Sequence, residues 1–252
     1  MNKGGQIHIG TSGWLYGPWR GPFYPEDIRT EDLLPFYART FSTVEINNSF
    51  YRAPTPKTIQ TWCGRVPEEF VFSVKANRYL THRKLLKGNR EDFDFFFSLL
   101  PVFGQKLGPV LYQLPPRFHK NAERLAAFLA LLPADCRATF EFRHESWFDE
   151  DIYAVLRKHN AAWCIYDLDR RHAPAQITAD FAYLRMHGPQ GPYKGSYDDA
   201  FLQRWARQFL AWQKEDIDVY CYFDNDEKGY AVKDAHRLCH YVELSSNRRR
   251  SA

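Results

Sequence analysis

Short runs of apolar, β-branched or aromatic residues recur eight times along the chain, and longer segments with helical spacing separate them. Runs of this kind predict strands, and their alternation with helices predicts a parallel sheet. The predicted strands cover residues 6–10, 42–47, 70–75, 109–113, 138–142, 162–166, 181–186 and 218–223. The predicted helices cover residues 31–40, 56–66, 91–101, 121–132, 149–159, 198–212 and 230–242. Eight such strands in 252 residues favour an α/β fold, a single (β/α)8 TIM-like barrel, over a doubly wound sheet.

One connection of this barrel is too short and too polar for a full helix. Residues 167–180, between the sixth and seventh predicted strands, read DLDRRHAPAQITAD, and we expect one helix to be missing there. No change of composition divides the chain. We therefore predict a single barrel domain over residues 1–244, followed by a basic, flexible tail over residues 245–252.

The composition excludes several classes of protein. With 44% hydrophobic and 25% charged residues, the chain is not a disordered one. No run approaches the roughly 18 consecutive apolar residues of a membrane-spanning helix, and the N-terminus lacks the apolar run of a signal peptide, so we expect no membrane partner. The five cysteines are scattered without a C-x-x-C pair, which predicts a reducing, cytoplasmic location. A net charge of +4 is too small to indicate a nucleic-acid partner by itself.

Polar residues gather where the predicted strands end, which is where barrel proteins place their active sites. Three strands each place two of these residues on one face by period-two alternation, namely Glu45 with Asn47, Glu141 with Arg143, and Arg185 with His187. If these faces point inward, charges of both signs meet at the C-terminal mouth of the barrel. Buried charges are costly, so the whole set favours a functional site over an ion-pair network that merely plugs the barrel.

A series of short motifs follows in order along nearly the whole chain. They include residues 9–14 (IGTSGW), 44–51 (VEINNSFY), 70–75 (FVFSVK), 107–116 (LGPVLYQLPP), 141–147 (EFRHESW), 183–188 (YLRMHG) and 219–225 (VYCYFDN). Together they resemble the DUF72 (YecE-like) family of TIM-barrel proteins. The resemblance implies a TIM-like barrel and implies no particular reaction. The chain departs from the family pattern at Asp224-Asn225, where paired asparagines are common, and this departure alters the charge there.

The cations at the strand ends predict an anion site. Lys75, Arg143 and Arg185 would bind the anion, because arginine offers a bidentate fork and lysine a point charge. The glycine-rich loop at 188–195 follows the seventh strand, where barrels often bind phosphate. The predicted function is an enzyme, a hydrolase or a lyase, acting on a small anionic ligand that is phosphorylated or contains a nucleotide.

Each remaining candidate residue has a predicted role in that enzyme. Glu141 or His187 would move protons, and Glu45 and Asn47 would orient groups. The predicted substrate-binding set is completed by Gln113, Asn225, Trp14, Tyr51 and Tyr193. The sequence assigns no cofactor and no oligomeric state, and it assigns no metal because no H-E-x-x-H motif occurs.

Two alternative functions stay open. The aromatic residues of the predicted loops suit the stacking of bases, which would make the chain a non-catalytic module that binds single-stranded nucleic acid. Glu45 and Glu141 could instead be the carboxylate pair of a glycoside hydrolase. The neighbouring cations argue against the second alternative, because they would hold both carboxylates ionised while a general acid must carry a proton.

Overall fold

The structure, a computed structural model, describes residues 4–168 and 171–250, of which 171–172 and 248–250 are described by their backbone alone. Its strands are β1 (Ile7–Thr11), β2 (Thr43–Ile46), β3 (Val71–Lys75), β4 (Leu107–Gln113), β5 (Ala138–Glu141), β6 (Ala162–Leu168), β7 (Arg171–His172), β8 (Phe181–Met186) and β9 (Asp218–Phe223). Its α-helices are α1 (Leu33–Tyr37), α2 (Pro56–Cys63), α3 (Arg90–Phe97), α4 (Ala122–Leu129), α5 (Glu150–Lys158), α6 (Asp199–Lys214) and α7 (Tyr230–Arg250).

The chain forms two compact units. The first unit comprises Met1–Val44, Tyr166–His172 and Asp180–Ala252, and the second comprises Glu45–Ile165 and Ala173–Ala179. In the first unit the strands are ordered β1-β9-β8-β6, and in the second β6-β5-β4-β3-β2. The unit boundaries fall within β2, after Val44, and within β6, after Ile165. Parallel strands that alternate with helices confirm the predicted (β/α)8, TIM-like barrel class.

The helices begin where the sequence places capping residues. Asn121 accepts a hydrogen bond from the Arg124 backbone N–H at 2.8 Å and so caps α4. Asn89 and Asp92 form a reciprocal capping box at the start of α3. Each cap satisfies a backbone N–H that the helix leaves without an internal partner. The strands behind these helices are almost wholly buried, and β3 and β5 end in the charged residues Lys75 and Glu141.

The connection between β6 and β8 contains no α-helix among its described residues, as the sequence predicts. A two-residue strand, β7, pairs antiparallel with the end of β6 in the first unit. In the second unit the Thr178 hydroxyl donates to the Ala161 carbonyl oxygen at 2.7 Å and accepts from the Trp163 backbone N–H at 2.8 Å. The Thr178 side chain thus gives hydrogen-bond partners to two buried backbone groups at the start of β6.

The last helix is longer than the sequence predicts. α7 extends to Arg250 and includes most of the segment predicted as a tail, because residues 245–250 contain no proline or glycine to end the helix. Ser251 and Ala252 lie outside the described residues. Within the described part of the chain, no helix is long and apolar enough to cross a membrane.

Candidate functional site

The residues that the sequence predicts for the site are divided between the two units. His187, Arg185, Asn225, Trp14 and Tyr193 belong to the first unit. Glu141, Glu45, Lys75, Arg143, Asn47, Gln113 and Tyr51 belong to the second. Each unit forms a polar cluster of its own from these residues and from others that sequence reasoning did not select.

A buried arginine is the centre of the cluster in the first unit. Arg185 lies on β8 and is only 1% exposed. Its Nη2 group donates hydrogen bonds to Ser12 Oγ and to Asp224 Oδ2, both at 3.1 Å. Ser12 directly follows β1 and Asp224 directly follows β9, so three neighbouring strand ends build the cluster. A buried guanidinium requires such partners, and Asp224 neutralises Arg185 within its own unit.

His187 is fully buried between two charged groups. Its Nδ1 atom lies 3.0 Å from Asp224 Oδ2, and its Nε2 atom lies 3.3 Å from Arg185 Nη1. An arginine N–H can only donate, so Nε2 accepts and the proton of the neutral imidazole lies on Nδ1. His187 therefore contacts both members of the Arg185–Asp224 ion pair.

A second carboxyl group of this unit has an unusual environment. Asp226 follows Asp224 by two residues and is half-buried. Burial, reinforced by the negative charge of Asp224, raises the pKa of Asp226 to about 8, while a hydrogen bond from Tyr16 and the charge of Arg185 oppose this increase. Sequence reasoning did not select Asp226, and the available signal was its place directly after the DN pair, where the chain departs from the family pattern.

The glycine-rich loop at 188–195 uses its backbone internally. The N–H groups of Gly188, Tyr193 and Gly195 donate to Tyr197 Oη, the His187 carbonyl oxygen and Glu227 Oε2, at 2.8, 2.6 and 3.3 Å. An anion would need those N–H groups to face outward and to lack partners. The expectation that this loop binds phosphate therefore gains no support from its backbone contacts.

Asn225 anchors the same loop to α7. Its Nδ2 group donates to the Gly195 carbonyl oxygen at 2.8 Å and to Asp234 Oδ2 at 2.9 Å. Asp234, which is fully buried on α7, also accepts from Ser196 Oγ at 2.6 Å and from the Tyr197 N–H at 2.9 Å. In this arrangement Asn225 positions the loop, and its predicted contact with substrate stays a prediction.

Two aromatic residues predicted to bind substrate in the first unit differ in exposure. Trp14 is buried, and its carbonyl oxygen accepts a hydrogen bond from the Tyr24 hydroxyl at 2.8 Å. It belongs to the core, where a large apolar ring is most stable, and it does not offer its face to a ligand. Tyr193 is 47% exposed, and its ring packs edge-to-face on His187 with 5.7 Å between centroids.

In the second unit an ion pair lies at the end of β5. Glu141 is fully buried and pairs with the guanidinium of Arg143. Cys164 Sγ on β6 approaches Glu141 Oε2 at 3.9 Å, and Gln113, the last residue of β4, is in register with Glu141. A neighbouring guanidinium favours the ionised form of a carboxyl group, whereas the acid of a glycoside hydrolase must carry a proton.

The other residues predicted at β2 lie close to the end of β3. Glu45 is fully buried on β2, and the half-buried Asn47 precedes a short 3-10 turn, Asn48–Phe50. Within that turn, the Ser49 hydroxyl lies 2.6 Å from the carbonyl oxygen of Lys75. This bond ties the loop after β2 to the end of β3, so that side chains from both loops share one surface.

That surface combines cations with aromatic rings. Lys75 Nζ lies 4.6 Å from the centroid of the Phe50 ring, which also packs edge-to-face against His82 at 5.0 Å and Tyr51 at 5.1 Å. Burial, together with the positive charges of Lys75 and Arg78, lowers the pKa of His82, and its imidazole is therefore neutral at neutral pH. We call these five residues, Phe50, Tyr51, Lys75, Arg78 and His82, the Lys75 surface.

The chain that follows β3 is strongly basic. Residues 75–90 contain six lysines and arginines and no aspartate or glutamate. Lys84 and Arg90 form ion pairs with acidic residues of α3. Within the described residues Arg78 and Arg83 form no ion pair. This charge run was available in the sequence, and sequence reasoning used only Lys75 from it.

The same segment is strained. A π-helical turn spans Tyr79–Arg83, and Leu85 and Leu86 then adopt φ values of +51° and +64°. A left-handed leucine costs ~1–3 kcal/mol and persists only where its surroundings impose it. Leu86 is buried, and its N–H donates to the Leu80 carbonyl oxygen at 2.9 Å, which holds the turn in place. π turns and strained backbone both concentrate at functional sites.

Neither unit contains an evident metal centre in its described part. Among residues 4–168 and 171–250, no group of three or more His, Cys, Asp or Glu side chains is arranged to hold a metal ion.

The strand order, the alternation of strands with helices and the charged clusters at strand ends define a (β/α)8 protein whose polar groups follow the carboxyl ends of its strands. The chain belongs to the DUF72 family, because the family model, described as a protein of unknown function, matches residues 8–252. The resemblance of the sequence motifs to this family is thereby confirmed.

Relatives support both the family and the fold. The UPF0759 protein YunF of Bacillus subtilis is 26% identical over 271 residues, covering 94% of this chain and 95% of YunF. The UPF0759 protein YecE of Escherichia coli K12 is 26% identical over 144 residues, covering 56% of this chain and 50% of YecE. A crystal structure of a DUF72 family protein from Thermotoga maritima superposes with a TM-score of 0.84 at 27% identity, covering 94% of this chain and 99% of that one.

Proposed function

We propose that the protein is an enzyme that acts on a small anionic substrate, either phosphorylated or containing a nucleotide, and that the Lys75 surface binds the anionic group. Glu141 and Glu45 are buried carboxyl groups of the same unit and are the candidates for proton transfer there. The proposal needs no residue of the first unit to bind the anion, because Arg185 is already neutralised by Asp224.

The observation that carries the proposal is that two cations and an aromatic ring lie around one half-buried imidazole. Lys75 and Arg78 both disfavour protonation of His82. A bound anion would relieve this repulsion, since it interacts favourably with all three side chains and is partly shielded from water. Lys75 is only 7% exposed, and a buried ammonium group attracts an anion more strongly than one in bulk solvent does.

The aromatic rings favour a substrate with a flat or apolar part. Phe50 lies under the Lys75 ammonium group, and Tyr51 is 73% exposed beside it. A base or a sugar face can stack on such a ring while its phosphate meets the cations. Tyr79, at the start of the π-helical turn, adds a second ring that is 37% exposed.

A thermal-shift screen followed by calorimetry tests the proposal. The panel contains inorganic phosphate, sugar phosphates, mononucleotides, organic acids and short single-stranded oligonucleotides. A ligand at one hundred times its Kd stabilises the native state by about 2.7 kcal/mol, which the melting temperature reports. We expect a small phosphorylated compound to bind, to raise the pKa of His82 observed by NMR, and to be converted to product over time.

Matched variants separate this surface from general charge effects. Lys75→Met and Arg78→Gln should each weaken binding by about tenfold, the equivalent of losing one charged hydrogen bond. Lys57→Met removes an exposed lysine on α2 of the same unit and should leave binding unchanged. Equal affinity of the wild type and both surface variants would refute the anion site, and binding without turnover of any bound ligand would refute the enzyme.

One observation supports the second candidate, a module that binds single-stranded nucleic acid. Tyr51 and Tyr79 are exposed rings in the same unit as Arg78 and Arg83, and such rings and cations together suit successive bases and phosphates. Under this alternative only oligonucleotides would shift the melting temperature. Their affinity would fall steeply with salt, because each neutralised phosphate releases counterions.

A further inference from the structure

The side chain of Asp226 has no structural task that its contacts explain. It precedes the 3-10 turn Glu227–Gly229, yet it makes no capping hydrogen bond to that turn. Its Oδ1 atom is shielded from solvent and has no hydrogen-bond partner among the described residues. An aspartate before a helical turn ordinarily caps that turn, and capping does not explain the presence of this carboxyl group.

The groups that face Asp226 come from three elements of the first unit. Asp224 lies at the end of β9, Arg185 lies on β8, and Tyr16 lies in the loop after β1 and forms a hydrogen bond with the Asp226 carboxyl group. Asp224 lies within ion-pair distance of Arg185 and His187. A second carboxyl group so close to a negative charge is favoured in its protonated form.

Burial acts in the same direction as this charge, and together they keep Asp226 neutral at pH 7. If this position only required a neutral polar side chain, an asparagine would provide one without the cost of keeping a carboxyl group protonated. A shielded carboxyl group that keeps its proton at neutral pH is suited to act as a general acid. The Tyr16 hydroxyl, which lies 2.5 Å from the Ser12 carbonyl oxygen, fixes one side of the carboxyl group.

We propose that Asp226 is a proton donor to a ligand bound in the first unit, with Asp224, Arg185 and His187 as positioning residues that hold the neighbouring charge. In this step the Asp226 O–H bond breaks, a bond forms between that proton and a basic oxygen or nitrogen atom of the ligand, and the electron pair stays on the carboxylate. Water reprotonates Asp226 afterwards. The inference rests on the enzymatic part of the proposed function and does not depend on the Lys75 surface.

A small diazoacetamide tests proton donation without knowledge of the natural substrate. A carboxylic acid protonates the diazo carbon, the resulting carboxylate bonds to that carbon, and N2 leaves, so an ester records each event. At pH 7 an ordinary aspartate is only ~0.1% protonated. We expect mass spectrometry of the intact chain and its peptides to locate the ester at Asp226, formed at least ~10-fold faster than at the exposed Glu123.

The pH profile distinguishes a donor from a merely reactive side chain. Labelling of Asp226 should be constant below pH 7 and fall above about pH 8, where the acid ionises. Asp226→Asn should abolish the ester at this position and leave the labelling of Glu123 unchanged.

Two results would overturn the inference. One is labelling of Asp226 no faster than that of Glu123 at pH 7. The other is a profile that falls near pH 4, as for an ordinary carboxyl group. Lys75→Met serves as the control for the proposed function, because it should weaken anion binding while the labelling of Asp226 stays as in the wild type. Failure of one proposal is therefore recognisable without failure of the other.

Discussion

Arg185 in the first unit and Arg78 in the second are both arginines near the carboxyl end of a strand, and they are in opposite situations. Arg185 is 1% exposed and donates to Ser12 and Asp224. Arg78 is exposed, forms no ion pair within the described residues, and lowers the pKa of a neighbouring histidine. One cation is neutralised inside the protein, and the other is exposed to solvent and outside any ion pair of the described residues.

The difference shows that a cation at the end of a barrel strand is not by itself evidence of a binding site. Whether such a cation can bind a ligand depends on the groups that surround it. Where a carboxylate lies within hydrogen-bonding distance in a buried cluster, the charge is already neutralised and its removal harms stability. Where the neighbours are further cations and aromatic rings, the charge costs little to remove and ligand affinity is what depends on it.

The largest effect should come from removing the buried cation. Arg185→Met leaves Asp224 buried without its guanidinium partner, and we expect the free energy of unfolding to fall by about 3–5 kcal/mol. For a chain of this size that lowers the melting temperature by roughly 6–20 °C. Calorimetry measures it, and the double variant Arg185→Met with Asp224→Asn should recover part of the loss. A change below about 1 kcal/mol would contradict the comparison.

An intermediate effect of opposite sign is expected at Asp226. The pKa of this carboxyl group is raised in the native state to about 8, so between about pH 4 and pH 8 the native state holds a proton that the unfolded state releases. The free energy of unfolding of the wild type therefore falls as pH rises through that window.

Asp226→Asn removes this dependence. At pH 8 the variant should be more stable than the wild type by about 1–3 kcal/mol, a range that allows for solvent screening of a half-buried group. Below pH 4 the two proteins should be nearly equal in stability. Denaturant unfolding at several pH values is the measurement. A variant that is less stable at pH 8 would show that the carboxyl group makes a favourable structural contact.

The smallest effect on stability is expected at Arg78. Arg78→Ala removes an exposed side chain outside any ion pair among the described residues, so the free energy of unfolding should change by less than about 0.5 kcal/mol. The two variants, Arg78→Ala and Arg185→Met, should therefore differ by several-fold in their effect on the free energy of unfolding. A loss above about 2 kcal/mol would place Arg78 in the same structural class as Arg185.

Sequence reasoning located most of the fold and only part of the candidate clusters. β8 and β9 have the predicted bounds, and the other predicted strands correspond to observed ones with shifted ends. The pairing of Arg185 with Asp224 was not predictable, because it joins residues 39 positions apart through the packing of β8 beside β9. The Asp226 carboxyl group was also missed, since its proton is retained through burial and a neighbouring charge that no local pattern records.

The amino-acid sequence alone determined the (β/α)8 class, the lack of an α-helix among the described residues between β6 and β8, and the family, because periodicity, capping residues and ordered motifs are local properties of the chain. Only the tertiary structure decided which charges are neutralised. It buried Trp14 in the core, engaged the loop at 188–195 with its own unit, and left Arg78 beside Lys75 and His82. The physical reason is that desolvation and Coulomb energies depend on distances in space, which sequence separation does not record.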